Sequence, residues 1–363
     1  MSESLTARQF TLEDRDALLG FLGRVYAADP RRGNREFWEW HYLKNPYTKT
    51  DDLPIWIALD GEKIVGHLAA IETEVKVGRD AHPTIWILDL IIDENYRRRG
   101  IAKRLVEFAE AFREIRLGIN THEQHSPELL ESRGWKIVTS IPRYTRVLFP
   151  GNAFFSGSGP QPFLRKAANS LYSFRRRKVE QHAARTGEVR HIERFDEAAD
   201  ALWEQASGLN ACIAVRRSAF LNWQYFEQPN KRFDVLGVYS REELLGYVVL
   251  YFRAPNSQGI VEKAAISDLF FTAAEVADDL LNAALKLAVE RRVGRVVTDM
   301  LSKDAEDALT RHGFFKTKSP LLLMVKSAVA NDLVLEPSQW FVTRGDSDTT
   351  IFETPNIASQ LHS

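Results

Sequence analysis

Three consecutive arginines and a glycine, Arg97 to Gly100, separate an apolar run from a stretch with helical spacing. The apolar run, TIWILDLIID, ends at Asp93, and apolar residues recur every three or four positions from Ile101 onward. This pattern predicts a buried strand, a turn and the start of a helix. The first amides of a helix lack intrahelical acceptors and lie at the positive end of its dipole, so this turn could bind an anion.

The residues of the turn suit a phosphate group. Gly100 would let the backbone approach the phosphate closely, and Ala102 keeps a neighbouring position small. Cationic side chains surround them: Arg97, Arg98, Arg99, Lys103 and Arg104. The alternative is a solvated basic helix start without a ligand, which is the more common role of an arginine-rich turn.

The composition is that of an ordinary soluble protein. The chain has 363 residues, 44% hydrophobic and 27% charged, with a formal net charge of -1. This near-neutral charge argues against a nucleic-acid-binding surface, and no apolar run approaches the roughly 20 residues of a membrane-spanning helix. The single cysteine, Cys212, cannot form an internal disulfide, which is typical of a reducing compartment. We expect a cytoplasmic protein of two domains.

The chain repeats itself once. FWEWHYLKNP in the first half is answered by FLNWQYFEQP in the second. ILDLIID is answered by ISDLFFT, so that Asp89 corresponds to Asp268. ESRGWK is answered by TRHGFFK at the same spacing of 179 residues. A steady spacing across unlike elements indicates two copies of one domain, each too long to be a solenoid repeat.

Each copy has the pattern of a mixed α/β unit. The first copy shows a helix, a hairpin around Asp60-Gly61, a buried strand, a long helix, a strand, a helix that ends at Gly134, and two closing strands, KIVTSI and YTRVLF. Between the copies lie a Gly/Ser/Pro-rich linker and LRKAANSLYSFRRRKVEQHA, which we interpret as a basic, solvated helix. The predicted division is a first domain at 1–150, a linker with a basic helix at 151–189, a second domain at 190–330 and a tail at 331–363.

This order of elements resembles the GNAT superfamily of acyl-CoA-dependent N-acyltransferases. Arg97-Arg98-Arg99-Gly100-Ile101-Ala102 matches that family's Q/R-x-x-G-x-G/A pyrophosphate loop. The resemblance covers residues 5–150 in motif and element order, and residues 190–326 in element order alone. It implies an α/β (α+β) fold of two tandem GNAT-like domains, each a mixed, mostly antiparallel twisted sheet flanked by helices.

The resemblance also implies a co-substrate and its contacts. We expect acetyl-CoA and no metal ion. In this family the strand before the loop splays from its neighbour, and the pantetheine arm pairs with the free backbone edge. That edge corresponds to Leu90, Ile91 and Ile92. Asn120, close to Glu123 along the chain, is a possible substitute for an asparagine that is frequent in this family. The loop residues Arg97 to Ala102 would hold the pyrophosphate.

Candidate bases follow from the expected chemistry, in which an amine loses a proton and attacks the thioester. Asp89 lies in an aliphatic run, where a desolvated carboxylate would suit this role, but its counterpart Asp268 leaves a structural role equally open. His122 and Glu123 follow the next strand, where substrate and cofactor meet in the family. Solvent exposure is the alternative for His122.

Other candidates are weaker. Glu72 and Glu74 alternate on the long hairpin strand and could face either the cleft or solvent, and His67 is expected to be a packing residue. Many family members place a thiolate-protonating tyrosine where this chain has Leu130. The family's frequent asparagine corresponds to Glu123. The general acid is therefore open: a tyrosine of the second copy, another group or water.

The second copy lacks the phosphate loop. Arg97 corresponds to Val276 and Gly100 to Asp279, which is preceded by Asp278. Two adjacent acids would repel a pyrophosphate. We therefore expect the second copy to leave CoA unbound and to complete the substrate cleft or act as a structural partner.

Three functions remain open from the sequence. The leading hypothesis is an N-acyltransferase for a small-molecule or sugar amine. The second is a non-catalytic acyl-CoA-binding or scaffold protein, favoured by the missing tyrosine. The third is a tandem aminoacyl transferase of the peptidoglycan-bridge type, disfavoured by the intact loop and the neutral charge. The aromatic segments FWEWHY and FLNWQY are expected to pack in the core or to line the acceptor site. The spacing of Asp346 and Asp348 is poor evidence for a metal.

Overall fold

The computed structural model of the chain describes residues 5–121, 126–154, 162–171, 173, 179, 184–229, 232–329 and 331–347. Its strands are β1 (Leu5–Gln9), β2 (Ile55–Asp60), β3 (Lys63–Val77), β4 (Asp80–Ile92), β5 (Ile115–Thr121), β6 (Lys136–Ser140), β7 (Arg143–Val147), β8 (Glu188–His191), β9 (Cys212–Ala214), β10 (Asp234–Ser240), β11 (Glu243–Phe252), β12 (Lys263–Phe271), β13 (Arg295–Asp299), β14 (Phe315–Thr317), β15 (Leu321–Ser327) and β16 (Trp340–Phe341). Its helices are α1 (Arg15–Val25), α2 (Arg35–Trp38), α3 (Ile101–Phe112), α4 (Ser126–Ser132), α5 (Pro150–Phe154), α6 (Pro162–Leu171), α7 (Glu197–Ala206), α8 (Ser218–Tyr225), α9 (Ala274–Glu290), α10 (Lys303–Arg311) and α11 (Asn331–Val334). A π-helical turn, Glu39–Leu43, continues α2.

The strands form two mixed sheets with matching orders. The first sheet runs β1-β2-β3-β4-β5-β15-β6, with β9 paired to the far end of β3 and β16 paired to β9. The second runs β8-β10-β11-β12-β13-β7-β14. Most neighbours are antiparallel, but β4 and β5 run parallel, as do β12 and β13. The predicted fold class, two α/β copies with mixed sheets and flanking helices, is confirmed.

The copies exchange one strand. The sequence pattern suggested that KIVTSI and YTRVLF close a single sheet, but β7 joins the second sheet between β13 and β14. In return, β15 joins the first sheet between β5 and β6. Because β7 and β15 are equivalent strands of the two copies, either can fill the same place, and each sheet keeps its order. The sheets are therefore not divided at residue 150.

Ion pairs tie each exchanged strand to its host. Lys326 on β15 lies 3.0 Å from the Glu110 carboxylate on α3. Arg143 on β7 lies 2.7 Å from the Asp299 carboxylate on β13. Asp299 is fully buried, and Arg143 is one of the two arginines that balance its charge, the other being Arg344.

The aromatic segments pack between the two halves. The indole nitrogen of Trp40 donates to the backbone oxygen of Trp223 at 2.8 Å, and the reverse bond has the same length. The two rings stack with centroids 5.2 Å apart, and both are fully buried. These segments therefore form a shared core and do not present the two tryptophans to an open cleft.

Helix boundaries follow local chemistry. Gly134 and Gly313 follow α4 and α10 with φ of 84° and 73°, a left-handed conformation that glycine adopts without a steric penalty. In α3, Leu105 and Ala109 are buried against the first sheet, while Lys103 and Arg104 face solvent. Among the described residues, none of the helices combines the length and apolarity needed to cross a membrane.

Candidate functional site

The turn between β4 and α3 presents free backbone amides. Gly100 precedes the helix with φ 77° and ψ 3°, and Arg98 also has a positive φ, 62°. The first helical bond runs from the Arg104 amide to the Gly100 carbonyl at 3.2 Å. The amides of residues 101–103 precede that bond and have no helical acceptor. With a 12-residue helix behind it, this turn is a suitable site for an anion.

Space and charge at the turn also suit an anion. A Cβ on Gly100 would meet nothing within 4 Å, so the approach to the amides is open. The five cationic side chains predicted for the site are exposed: Arg97, Arg98, Arg99, Lys103 and Arg104. Arg99 rests on the Tyr96 ring, 4.9 Å from its centroid, and donates to the Asn95 carbonyl at 3.0 Å. This contact holds one guanidinium beside the turn.

Strands β4 and β5 separate above the middle of the sheet. They pair only over Thr84–Trp86 and Ile115–Leu117. Beyond this point β4 pairs with β3 alone, through Ile91 opposite His67 and Ile92 opposite Gly66. The backbone edge of residues 90–92 that faces away from β3 therefore borders an opening between β4 and β5.

A bulge in β4 sets the direction of this edge. Asp89 has a φ of 55°, and the pairing with β3 shifts register between His67 and Ala69. Across the opening, Asn120 lies near the end of β5, where the Ser126 hydroxyl donates to its Oδ1 at 3.0 Å. The structure thus brings the loop, the free edge and Asn120 to one end of the first sheet.

Asp89 is paired with a half-buried arginine. Its carboxylate accepts from Arg32, which lies in the turn after α1. The counterpart Asp268 is bound in the same way: Arg216 lies 3.3 Å from its carboxylate, and the Tyr247 hydroxyl donates to it at 2.9 Å. Because both copies pair this aspartate with an arginine, the geometry supports the structural role that the repeat left open. Sequence reasoning missed Arg32, because nothing in PRRG marks an ion pair to a residue 57 positions away.

His67 lies beside this ion pair. It is fully buried, and its Nδ1 lies 3.1 Å from the Asp89 carbonyl oxygen, so Nδ1 donates. Among the described residues, its Nε2 has no hydrogen-bond partner. Burial, together with the smaller effect of the charge of Arg32, lowers the pKa of His67 to about 3. The expected packing residue is therefore a neutral imidazole whose Nε2 is buried without a hydrogen-bond partner among the described residues. The signal that could have found it is its alignment with Tyr247, which contacts the equivalent aspartate.

The buried imidazole predicts a loss of stability in acid. The pKa of His67 is about 3 in the folded chain against 6.5 for an ordinary histidine, so the unfolded state takes up the proton first. The contribution of the neutral His67 to the free energy of unfolding is complete above pH 6.5 and is lost as pH falls toward 3. At pH 5 the loss is about 2 kcal/mol. Urea unfolding at pH 7 and pH 5 should show this extra loss in the wild type and not in His67→Gln. If the free energy of unfolding falls by the same amount between pH 7 and pH 5 in the wild type and in His67→Gln, the assignment of His67 is contradicted.

The remaining sequence candidates lie elsewhere. His122 and Glu123 fall outside the described residues. Glu72 is buried and accepts from Arg113 Nε at 2.8 Å; desolvation raises its pKa, and Arg113 opposes this. It pairs with Ile85 on β4, below the opening. The backbone of Glu74 accepts from the Val215 amide at 2.8 Å.

Leu130 occupies the position at which many members of the family have a tyrosine. Leu130 is buried in the apolar cluster between the first sheet and α3. No protonating group can act from this position. Within the described ranges, no cluster of His, Cys, Asp and Glu side chains could hold a metal ion. In the tail, Asp346 accepts from Arg216 at 2.8 Å, and Asp348 lies outside the described residues.

The second copy binds its own chain at the position of the phosphate loop. Asp279, which replaces Gly100, accepts from the Arg185 and Thr186 amides at 2.9 and 2.8 Å. Asp278 lies 3.0 Å from both Arg311 and His312. The linker backbone therefore occupies the place where an anion would bind. The carboxylate of Asp279 favours backbone amides over a phosphate group at this position.

The second opening is filled as well. Strands β12 and β13 pair only over Lys263–Ala265 and Arg295–Val297. The segment Trp340–Ser347 lies between their separated ends: Arg344 donates to Asp299 on β13, and Arg216 links Asp346 to Asp268 on β12. No such segment lies in the first opening among the described residues.

The comparisons with known proteins agree with this geometry. Residues 16–135 match the model of the acetyltransferase (GNAT) family. No curated protein sequence matches the chain. Among solved structures, Saccharomyces cerevisiae N-myristoyltransferase with bound myristoyl-CoA is similar at TM-score 0.60 and 13% identity, covering 90% of this chain and 83% of that one. An Enterococcus faecalis V583 protein of unknown function, a probable N-acyltransferase, is similar at TM-score 0.61 and 13% identity, covering 88% and 71%.

A third similar structure is a GCN5-related N-acetyltransferase from Kribbella flavida, with TM-score 0.57 and 13% identity over 88% of this chain and 70% of that one. At this identity the structural likenesses show the fold. The family match includes the Gly100 turn, β4 and α3, which carry the site's geometry. Residues 16–135 therefore match the acetyltransferase (GNAT) family, and the chain as a whole is similar in fold to solved N-acyltransferases.

Proposed function

We propose that the protein transfers an acetyl group from acetyl-CoA to an amine, with one acyl-CoA bound in the first copy. The observation that carries this proposal is the opening between β4 and β5 beside the Gly100 turn. A free strand edge, open helix amides and exposed arginines occur together only at this end of the first sheet within the described residues.

Each part of the cofactor has a matching surface. The pyrophosphate would accept from the amides at the start of α3 and from the arginines around them. The pantetheine arm, which carries amide groups, would pair with the backbone of residues 90–92. Asn120 would contact the arm from β5. The thioester would then lie near the bulge at Asp89, beneath the loop.

The reaction follows from this placement. The amine nitrogen attacks the thioester carbon; the new C–N bond forms as the C–S bond breaks, and the coenzyme leaves as a thiolate. A backbone amide of the β4 edge would stabilise the developing oxyanion. The amine proton would leave through water, and water would protonate the thiolate because Leu130 cannot.

His67 packs inside the protein beside the β4 edge. Gly66 faces α3, since a Cβ there would meet Ile101 at 3.1 Å, so His67 points to the opposite face of the sheet. Because its side chain and its Nε2 are fully buried, His67 would stabilise the β4 edge and would not contact the amine. The ion pair of Asp89 and Arg32 lies beside the imidazole. The Asp89 carbonyl fixes the tautomer because it accepts a hydrogen bond from Nδ1.

The base of the opening favours a short acyl group. The strands close at Trp86 and Leu117, both fully buried, where a long chain would have to displace packed side chains. Acetyl-CoA is therefore proposed over myristoyl-CoA, the ligand of the yeast neighbour. The second copy, with its opening filled by its own tail, would shape the acceptor side and bind no CoA.

Thiol release tests the activity directly. Purified protein with acetyl-CoA and a panel of amines, including amino sugars, polyamines and peptides, should release free coenzyme A with at least one acceptor. Replacing acetyl-CoA with myristoyl-CoA should lower the rate. Binding of acetyl-CoA without turnover on any amine would instead favour the non-catalytic acyl-CoA-binding alternative, which the buried Leu130 supports.

Asp89→Asn should lower turnover by about tenfold or more while leaving acetyl-CoA affinity unchanged. The change removes the charge that balances Arg32 and so perturbs the surroundings of His67. Asp268→Asn is the matched control, since it breaks the equivalent buried pair with Arg216. Both variants should lose thermal stability, because each removes one carboxylate partner from an arginine in the protein interior. Equal turnover losses in the two variants, measured where both are folded, would contradict a role for Asp89 in the reaction.

A further inference from the structure

The two copies differ in side-chain size just below the bulge of the central strand. Trp86 is the last residue of β4 that pairs with β5, and Leu88 lies between it and the bulge at Asp89. At the repeat spacing of 179 residues, their counterparts on β12 are Ala265 and Ser267. Trp86 and Leu88 are only 1% and 7% exposed, so both fill interior space that an alanine and a serine would leave open.

All four side chains lie on the sheet face that points away from the long helix of their copy. In the first copy, Ile85 packs with α3, whereas Trp86 and Leu88 belong to the buried cluster on the opposite face. In the second copy, Ala264 and Ile266 pack with α9. Side chains alternate along a strand, so the small pair that follows each of them faces away from α9.

In the second copy, the protein's own tail occupies the space beside this small pair. A Cβ on Gly345 would come within 3.3 Å of the Ser267 backbone oxygen and would also contact the Tyr225 hydroxyl. Tyr225 belongs to the buried cluster on the face away from α9. The tail therefore lies on the face to which the small pair points. On the equivalent face of the first copy, the side chains of Trp86 and Leu88 take up the space.

We propose that Trp86 and Leu88 limit the length of the acyl group and so determine which acyl-CoA the protein uses. This assignment rests on the proposed acyl-CoA site in the first opening. There the thioester would lie near Asp89. An acyl group that continues down the opening meets Leu88 first, and Trp86 follows about 7 Å further along the strand. An acetyl group ends above both side chains, whereas an octanoyl chain needs the space that they fill.

Replacement of either side chain with alanine should open a space for a longer acyl chain, because an apolar cavity left by a large-to-small substitution binds apolar guests. Leu88→Ala and Trp86→Ala should each bind octanoyl-CoA about tenfold or more tightly than the wild type does, by isothermal titration, since additional methylene groups become buried. Their affinity for acetyl-CoA should stay within about twofold of the wild type, because an acetyl group gains no buried area.

The two variants differ in risk to the fold. Trp86→Ala reproduces the residue of the second copy, but it leaves the larger cavity and could unfold the chain. Leu88→Ala removes less volume and keeps the test decisive if Trp86→Ala does not fold. Circular dichroism reports the fold of each variant.

Ile85→Ala is the matched control. It removes apolar volume from the same strand, but on the face that packs with α3. Its affinity for octanoyl-CoA should therefore equal that of the wild type. An equal gain in octanoyl-CoA affinity for Ile85→Ala and Leu88→Ala would contradict the proposal, since it would show a general loosening of the strand.

Two further results would overturn the proposal. The first is wild-type binding of octanoyl-CoA as tight as that of acetyl-CoA, and the second is unchanged octanoyl-CoA affinity in the folded alanine variants. In both cases acetyl-CoA still binds, so the proposed acyl-CoA site stands and only the role of Trp86 and Leu88 is lost. Absence of acetyl-CoA binding by the wild type would instead contradict the site itself, and this role with it.

Discussion

Gly100→Asp is expected to weaken acetyl-CoA binding at least about a hundredfold without unfolding the chain. The substitution places a carboxylate against the amides at the start of α3, where the pyrophosphate would bind, and so opposes it by charge and by competition. In the second copy, the aspartate at the equivalent sequence position, Asp279, binds backbone amides of the linker at residues 185 and 186. Isothermal titration measures the affinity, and circular dichroism reports the fold.

Two control variants separate charge from backbone strain. Gly100→Ala adds a Cβ at the same left-handed backbone position without adding a charge, and that Cβ would meet nothing within 4 Å. This variant should therefore keep most of its affinity for acetyl-CoA. Gly259→Asp places an acid at another open position with a φ of 70°, far along the second copy, and should bind normally. Normal binding by Gly100→Asp would show that this loop does not hold the cofactor.

Neither half of the chain is expected to fold alone. A fragment of residues 1–150 lacks β15, which fills the gap between β5 and β6 and buries Leu322, Leu323 and Met324. Each such side chain contributes about 1.5–3 kcal/mol, so the sum is comparable with the whole stability of a typical domain. A fragment of residues 151–363 likewise lacks β7, the neighbour of β13 and β14.

Co-expression of the two fragments provides the control. Together they contain every strand of both sheets, so they should copurify as a folded complex. The fragments expressed singly should be insoluble or show no cooperative unfolding transition. A soluble fragment 1–150 with a sharp thermal transition and bound acetyl-CoA would contradict the importance of the exchange.

The loop and the repeat could be predicted from the sequence because local patterns determine them. Arg97 to Ala102 lie between an apolar run and an amphipathic helix, and the structure shows a strand, a turn and a helix at those places. The internal repeat predicted two equivalent sheets, and this prediction depends on the order of the elements alone. The replacement of Gly100 by Asp279 followed from alignment of the copies.

The strand exchange could not be predicted in this way. Strands β7 and β15 occupy equivalent places in the two copies, so hydrophobic pattern cannot say which sheet either one joins. Long-range polar pairing was equally invisible: Arg32 and Asp89 are joined by tertiary structure alone. The β-strand pattern predicts that His67 is buried, but it does not reveal the hydrogen bond to the Asp89 carbonyl.

The tail shows the same limit. Its sequence suggested only two loosely spaced acids, yet Trp340–Ser347 fills the opening of the second sheet through Arg344 and Asp346. Their partners, Asp299 and Arg216, lie 45 and 130 residues away along the chain. Such contacts depend on how the two sheets meet, which local sequence does not encode.

The stoichiometry of acetyl-CoA binding tests the central proposal most directly. Isothermal titration of the full chain should give one site per chain, since the first opening is accessible and the second is filled by the protein's own tail and linker. Two sites would contradict the assignment of the second copy. No binding would contradict the acyltransferase proposal and leave only the fold.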